Sequence, residues 1–218
     1  NALVDKKRTI RIHGQKLILV IDAEWHYFKG ELWTLYFLAV KSIYSETVVV
    51  FDPILRCGRE NAGSWNIFIN QLPLTVRIRI VAIVSDGIRG IESIAADNGW
   101  VSQRCHFHLL YALQKMRGKR VSTSGRIIRE EIYSSVKRAL SEKSEIELNA
   151  LCQRLAVLAR HYQCPKRMRM AVRDFLRRLS EFRSYINYQE LNLPTTTNVM
   201  ESVNSFVKRK ALTANSPH

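Results

Sequence analysis

The sequence predicts an α/β fold, a mixed β-sheet covered by helices, and three observations predict it. Three runs rich in β-branched and aromatic residues follow one another early in the chain: KLILVID (16–22), LWTLYFLAV (32–40) and ETVVVFD (46–52). The segments between them are short enough for hairpins, so three sequential antiparallel strands are expected. Beyond them helical and strand patterns alternate up to about residue 106, and from Phe107 to Gln189 only helical periods occur.

The elements follow in the order β-β-β-α-β-α-β-α. ENAGSWNIFINQL (60–72) spaces Trp65, Phe68, Ile69 and Leu72 as one face of a helix, and RIRIVAIVSD (77–86) returns to strand character. IRGIESIAADNG reads as a short helix closed by Gly99, and WVSQRCHF as a fifth strand. The stretches REEIYSSVKRALSEKSEIELNALCQRLAVLARHY and PKRMRMAVRDFLRRLSEFRSYI form a helical insertion rather than an independent domain. NLPTTTN breaks the pattern, and VMESVNSFVKRKAL is a final amphipathic helix. The expected organisation is a core over residues 3–106, an all-helical insertion over 107–190 and a last core helix within 191–218.

A chain of 218 residues with 46% hydrophobic content can bury a full core without staples. Asn1-Ala2 fit the remnant of a cleaved tag, so the native sequence is expected to begin at Leu3, inside a longer protein. No apolar run has the length of a membrane span, and DKKRTIRIHGQK is too polar for a signal peptide, which points to a soluble intracellular protein. Cys57, Cys105, Cys152 and Cys164 lie at irregular spacings and read as reduced thiols rather than a disulfide framework.

Charge is unevenly spread over a net +15. Residues 1–100 carry 12 basic and 10 acidic side chains, residues 101–218 carry 22 and 9. A cationic half of that size is the footprint of a polyanion partner, most often nucleic acid, with a solvated basic surface as the plainer explanation.

Three acids stand out in this basic chain. Asp22 ends the apolar run of the first strand and Asp86 ends that of the fourth. Strand ends are where an α/β sheet presents site residues, and two carboxylates brought together there need a cation or a shared proton. A hard divalent ion, Mg²⁺ or Mn²⁺, suits such a pair for phosphate chemistry. Each acid has another explanation: Asp86 could cap the following helix, and Glu24, two residues after Asp22 on the same strand face, could take its place. Glu201 shares a helix face with Asn204, Ser205 and Lys208, although Asn198 and Glu201 also have capping-box spacing.

LVIDAEW around Asp22, VSDGIRGI around Asp86, QRCHFHLL around Cys105 to His108 and TTTNVMESVNSFVKRK around Glu201 together resemble the catalytic core of DDE transposases of the Mutator-like superfamily, which includes many bacterial insertion-sequence enzymes. The resemblance implies a ribonuclease H-like fold with a helical insertion. It implies a catalytic, metal-binding triad of Asp22, Asp86 and Glu201 holding two Mg²⁺ or Mn²⁺ ions for strand cleavage and strand transfer at phosphodiesters. DNA is the implied partner, both as transposon ends and as target. A homo-oligomer is plausible in the full-length protein, at the bacterial nucleoid in the cytoplasm, and no membrane is involved. Lys208 matches a basic position that contacts DNA; Arg209 and, in the insertion, Lys166, Arg167 and Arg169 are expected to hold phosphates. A DNA-binding region upstream is expected and lies outside this sequence.

Cys105 and His108 match the Cys-x2-His signature of the superfamily. Zinc would need four ligands, and Cys152, His161 and Cys164 could join only if the fold brought them close, so packing and hydrogen bonding in support of the site is the favoured reading. Trp25 and Trp100 are candidates for base stacking, with buried packing favoured for each, and Cys57 reads as a small buried hydrophobe. Two rival functions stand beside strand transfer: a ribonuclease H-like nuclease that only hydrolyses, and a DNA-binding remnant without activity.

Overall fold

The computed structural model describes residues 16–46, 48–118 and 125–197. Among them, β1 (Leu17–Phe28), β2 (Glu31–Ser42), β3 (Val48–Val50), β4 (Ile54–Cys57), β5 (Ile80–Ser85) and β6 (Val101–Arg104) form one mixed sheet in the order β3-β2-β1-β5-β6, with β4 also pairing β2. β1, β2, β3 and β4 meet antiparallel; β5 and β6 run parallel to β1. The expected α/β class and the mixed sheet are therefore present.

Four details differ from the sequence reading, each for a local reason. β1 does not stop at Asp22 but continues six residues to Phe28, paired only with β2, and turns through Lys29 and Gly30 with φ of 51° and 83°. Positive φ at both central residues is what a two-residue hairpin requires. The run 46–52 makes only the three-residue β3; Asp52-Pro53 ends it, and β4, a strand the sequence reading does not include, pairs the next stretch of β2. The next strand starts at Ile80 rather than Arg77, because Pro73 opens a single helical turn, α2 (Leu74–Arg77). β6 ends at Arg104, where Cys105 caps α4 (His106–Arg117).

Alternation along β1 sends side chains to opposite faces. Leu17, Leu19 and Ile21 pack beneath α1 (Ala62–Gln71) and α3 (Ile91–Asp97) with Tyr36, Trp65, Ile69 and Ile94. Ile18 and Val20 pack on the other face with Phe37, Ala82, Val84, Leu191 and Leu193. The Trp65 and Phe68 rings meet Tyr36 edge-on with centroids 4.8 and 4.9 Å away. Such contacts add to the apolar burial that holds α1 on the sheet.

After α4 come α5 (Arg126–Ser141), α6 (Glu145–Arg160), α7 (Lys166–Arg177) and two single turns, α8 (Leu179–Phe182) and α9 (Ser184–Asn187). Their inward positions, among them Val136, Leu155, Met168, Val172 and Phe175, close a second apolar core with Leu113 of α4. Ser144 caps α6 by accepting from the Glu147 amide. The segment after α9 then returns Leu191 and Leu193 to the sheet face that carries Ile18 and Val20.

Candidate active site where β1 and β5 part

β1 and β5 are parallel neighbours with Leu19 opposite Ile83 and Val20 opposite Val84. Asp22 and Asp86 each lie two residues further on, so the register brings them to the same level. Asp22 is on the Val20 side of β1 and only 8% exposed; its Oδ1 accepts from the Ala23 amide at 2.9 Å. Burial pushes its carboxyl from 3.8 up to about 6; the charge of His108 counters this and Asp86 adds to it. Asp86 accepts from the Ile88 amide at 3.1 Å and so makes a tight turn. It does not cap the following helix: the N-cap of α3 is Gly90, with φ of 98°, whose amide donates to Glu92 Oε2 at 2.9 Å.

A further acid escaped the sequence reading. Glu60, just before α1, accepts from the indole N–H of buried Trp65 at 2.7 Å and is pushed from 4.5 up to about 7 by burial and by the charge of Asp86, with Asp22 adding. The start of α1 abuts the loop after Asp86, where a side chain on Gly90 would come within 2.7 Å of Ala62 Cβ. The signal that could have found Glu60 is its spacing of five from a tryptophan at a buried helical position.

Cys105 and His108 lie on the first turn of α4. Cys105 is buried; burial alone would raise its thiol, but the neighbouring His108 imidazole and the contact with Thr197 hold it below its ordinary value. His108 is pushed up to about 9 by Cys105, against the cost of its burial, and the charges of Asp22 and Asp86 reinforce the rise. The thiol also anchors the chain that approaches from α9: the Thr197 amide donates to Cys105 Sγ at 3.4 Å, and the His106 amide donates to the Thr195 carbonyl at 2.7 Å. Thr197 is 1% exposed.

Arg104 braces the second aspartate from behind. Its Nη2 donates to the carbonyl of Gly87 at 3.1 Å, its Nη1 to Asp174 of α7 at 2.6 Å, and its guanidinium lies 4.9 Å from the centre of the Phe182 ring. Gly87, with φ of 88°, leaves the room this guanidinium fills; a Cβ would overlap it.

The other expected residues are dispersed. Glu24 lies 3.5 Å from His26 Nε2 on the part of β1 beyond the site. Lys166 and Arg167 are exposed at the start of α7, whereas Arg169 turns inward and donates to the Cys164 carbonyl at 3.4 Å. Cys164 belongs to the helical core and Cys152 packs against it. Glu201, Lys208 and Arg209 lie outside the described residues. Trp100 is buried in the core, but Trp25 is 60% exposed on the β1 arm, and Cys57 is exposed on β4 rather than buried. Among the described residues no three His, Cys, Asp or Glu side chains are grouped to hold a metal ion.

A family model described as "Transposase, Mutator family" matches residues 54–215. The chain belongs to the Mutator family of transposases. The match takes in Asp86, the Cys105 to His108 signature, α7 and Glu201, and begins downstream of Asp22. No curated protein matches the sequence. Membership makes this Mutator-family chain a DNA-processing protein in general terms. No helix among its described residues is long and apolar enough to cross a membrane.

Proposed function

We propose that this chain is the catalytic part of a DDE transposase, which cleaves DNA strands and joins a 3′-hydroxyl to a target phosphodiester. The observation that supports the reading is the β1–β5 register, which carries Asp22 and Asp86 to the same level just past the end of the parallel β1–β5 pairing. The sheet supports a ribonuclease H-like assignment. Three antiparallel positions precede two parallel strands, with β3 and β4 sharing the third position, and the helices 107–190 stand as the insertion.

Glu201 completes the proposed triad. Thr197 is fixed against Cys105 beside the site, and four residues of chain reach at most about 14 Å. The donor chemistry fits Mg²⁺ or Mn²⁺: carboxylate oxygens only, one of them desolvated and repelled by its neighbours, a strain that a divalent cation relieves. Asp22, Asp86 and Glu201 would hold two ions, which supply nucleophile activation and leaving-group stabilisation at phosphorus. The chain's own groups do the rest. Asp22 is kept dry on the Val20 face, the turn at Asp86 is held by Arg104, and protonated His108 sets a positive charge beside both aspartates. Lys208 and Arg209 follow Glu201 as phosphate contacts.

Mn²⁺ calorimetry on the chain and on Asp22→Ala and Glu201→Ala tests the site without knowledge of the DNA ends. Binding lost in both variants is expected. Binding unchanged in either removes that residue from the site and favours the remnant reading. Cleavage without joining, in a full-length protein, would favour the hydrolytic nuclease.

A further inference from the structure

α7 carries its charge in an ordered way. Met168, Val172 and Phe175 face the helical core, while Lys166, Met170, Arg173 and Arg177 recur at intervals of four, three and four residues on the exposed face, with Arg167 exposed beside them. Asp174 is the sole acid of this helix, and inward guanidiniums occupy it: Arg104 at 2.6 Å on Oδ2, and Arg178 at 3.4 Å on Oδ1, which Arg177 also contacts at 2.8 Å. Lys166, Arg167 and Arg173 pair with no carboxylate among the described residues. The outer face is therefore cationic along its whole length, interrupted only by Met170, 60% exposed.

The position of this face is fixed relative to the candidate active site. Arg104 joins Asp174 to the Gly87 carbonyl, next to Asp86. One turn on, Arg178 Nη2 donates to Glu92 Oε1 at 2.6 Å, and Glu92 holds the Gly90 amide. One tie falls in the second half of α7 and the other on its C-cap residue, so its Arg177 end adjoins the loop that follows Asp86, and its Lys166 end is the far one.

We infer that the outer face of α7 is a rail for the phosphate backbone of duplex DNA that leads to the site from one side. Eleven residues of helix rise about 16 Å, matching roughly five base pairs of duplex at 3.4 Å each. Arg173 and Arg177 take the contacts nearest the site, and Arg169, turned inward, takes none. The inference rests on the transposase reading for its partner but not for its chemistry.

The test is fluorescence anisotropy with a short labelled duplex of arbitrary sequence, in EDTA, over a range of salt. Because metal is excluded, loss of the catalytic reading and loss of the rail are separate outcomes. Lys166→Gln with Arg173→Gln should weaken binding on the order of tenfold and lower the salt slope by up to about 1.8, with an unchanged melting temperature. Met170→Lys should strengthen binding. As a control of equal charge, Lys137→Gln with Lys143→Gln, both exposed elsewhere, should change the slope little. An equal loss in the control pair, or unchanged affinity in the α7 pair, overturns the rail.

Discussion

Thr197 donates its backbone N–H to the sulfur of Cys105 across 3.4 Å, and both residues are buried. That contact ties the end of the described chain to the first turn of α4, within four residues of Glu201. Cys105→Ala leaves the Thr197 amide without its acceptor and should cost about 1–3 kcal/mol, read as a shift in the urea midpoint at constant slope. Cys105→Ser should recover part of the loss.

Thiol labelling should follow burial. Cys57 is exposed and should react at once in the native protein; Cys105 and Cys164 are buried and should react only on unfolding. Rapid native labelling at Cys105 would mean that the Thr197 contact opens in solution.

Asp22 and Glu60 should make stability fall as pH rises. Their folded values, about 6 and about 7, stand above the ordinary 3.8 and 4.5. The folded state thus holds protons that the unfolded chain has released. The stabilisation is complete below the unfolded values and is lost as pH rises through 6 to 7. Asp22→Asn should therefore raise the melting temperature by several degrees near pH 8, from about 3 kcal/mol, and do little near pH 4. Mn²⁺ should stabilise the parent chain and not the variant.

His108 should carry its proton at neutral pH. An imidazole midpoint at about 9 by NMR is expected, falling toward the ordinary 6.5 in Cys105→Ala. The support that this charge gives the fold is present below the ordinary value and lost as pH rises through 9.

Gly87→Ala should destabilise by about 2–4 kcal/mol, because it combines a positive φ with overlap of the Arg104 guanidinium. Paired with Arg104→Ala, the two losses should fall well short of additive in denaturation.

Much of this was legible because the apolar runs end about where the parallel pairing of β1 and β5 ends. KLILVID and RIRIVAIVSD end at Asp22 and Asp86 in sequence, and the structure makes them parallel neighbours. Tertiary context hid the rest. The β1 arm beyond Asp22 is a strand because β2 pairs it, although Trp25 to Phe28 are all exposed and show no buried period. Glu60 stands in sequence only as the first residue of the helical stretch 60–72, since only the fold reveals that its carboxyl meets Trp65 and lies near two aspartates. Arg169 was grouped with its basic neighbours because a charge run says nothing of which side chain turns inward.

The margins of the sheet bear on how copies of this protein behave when crowded. At β6 the Ser184 hydroxyl donates to the Ser102 carbonyl at 2.6 Å and the Tyr185 amide donates to the Gln103 side-chain Oε1 at 2.9 Å, so α9 lies against that margin. At the opposite margin Pro53 divides the chain into strands of three and four residues. Neither offers a run long enough to template a foreign strand. Copies of the chain at high local concentration are thereby kept from pairing edge to edge through these two margins into an aggregate.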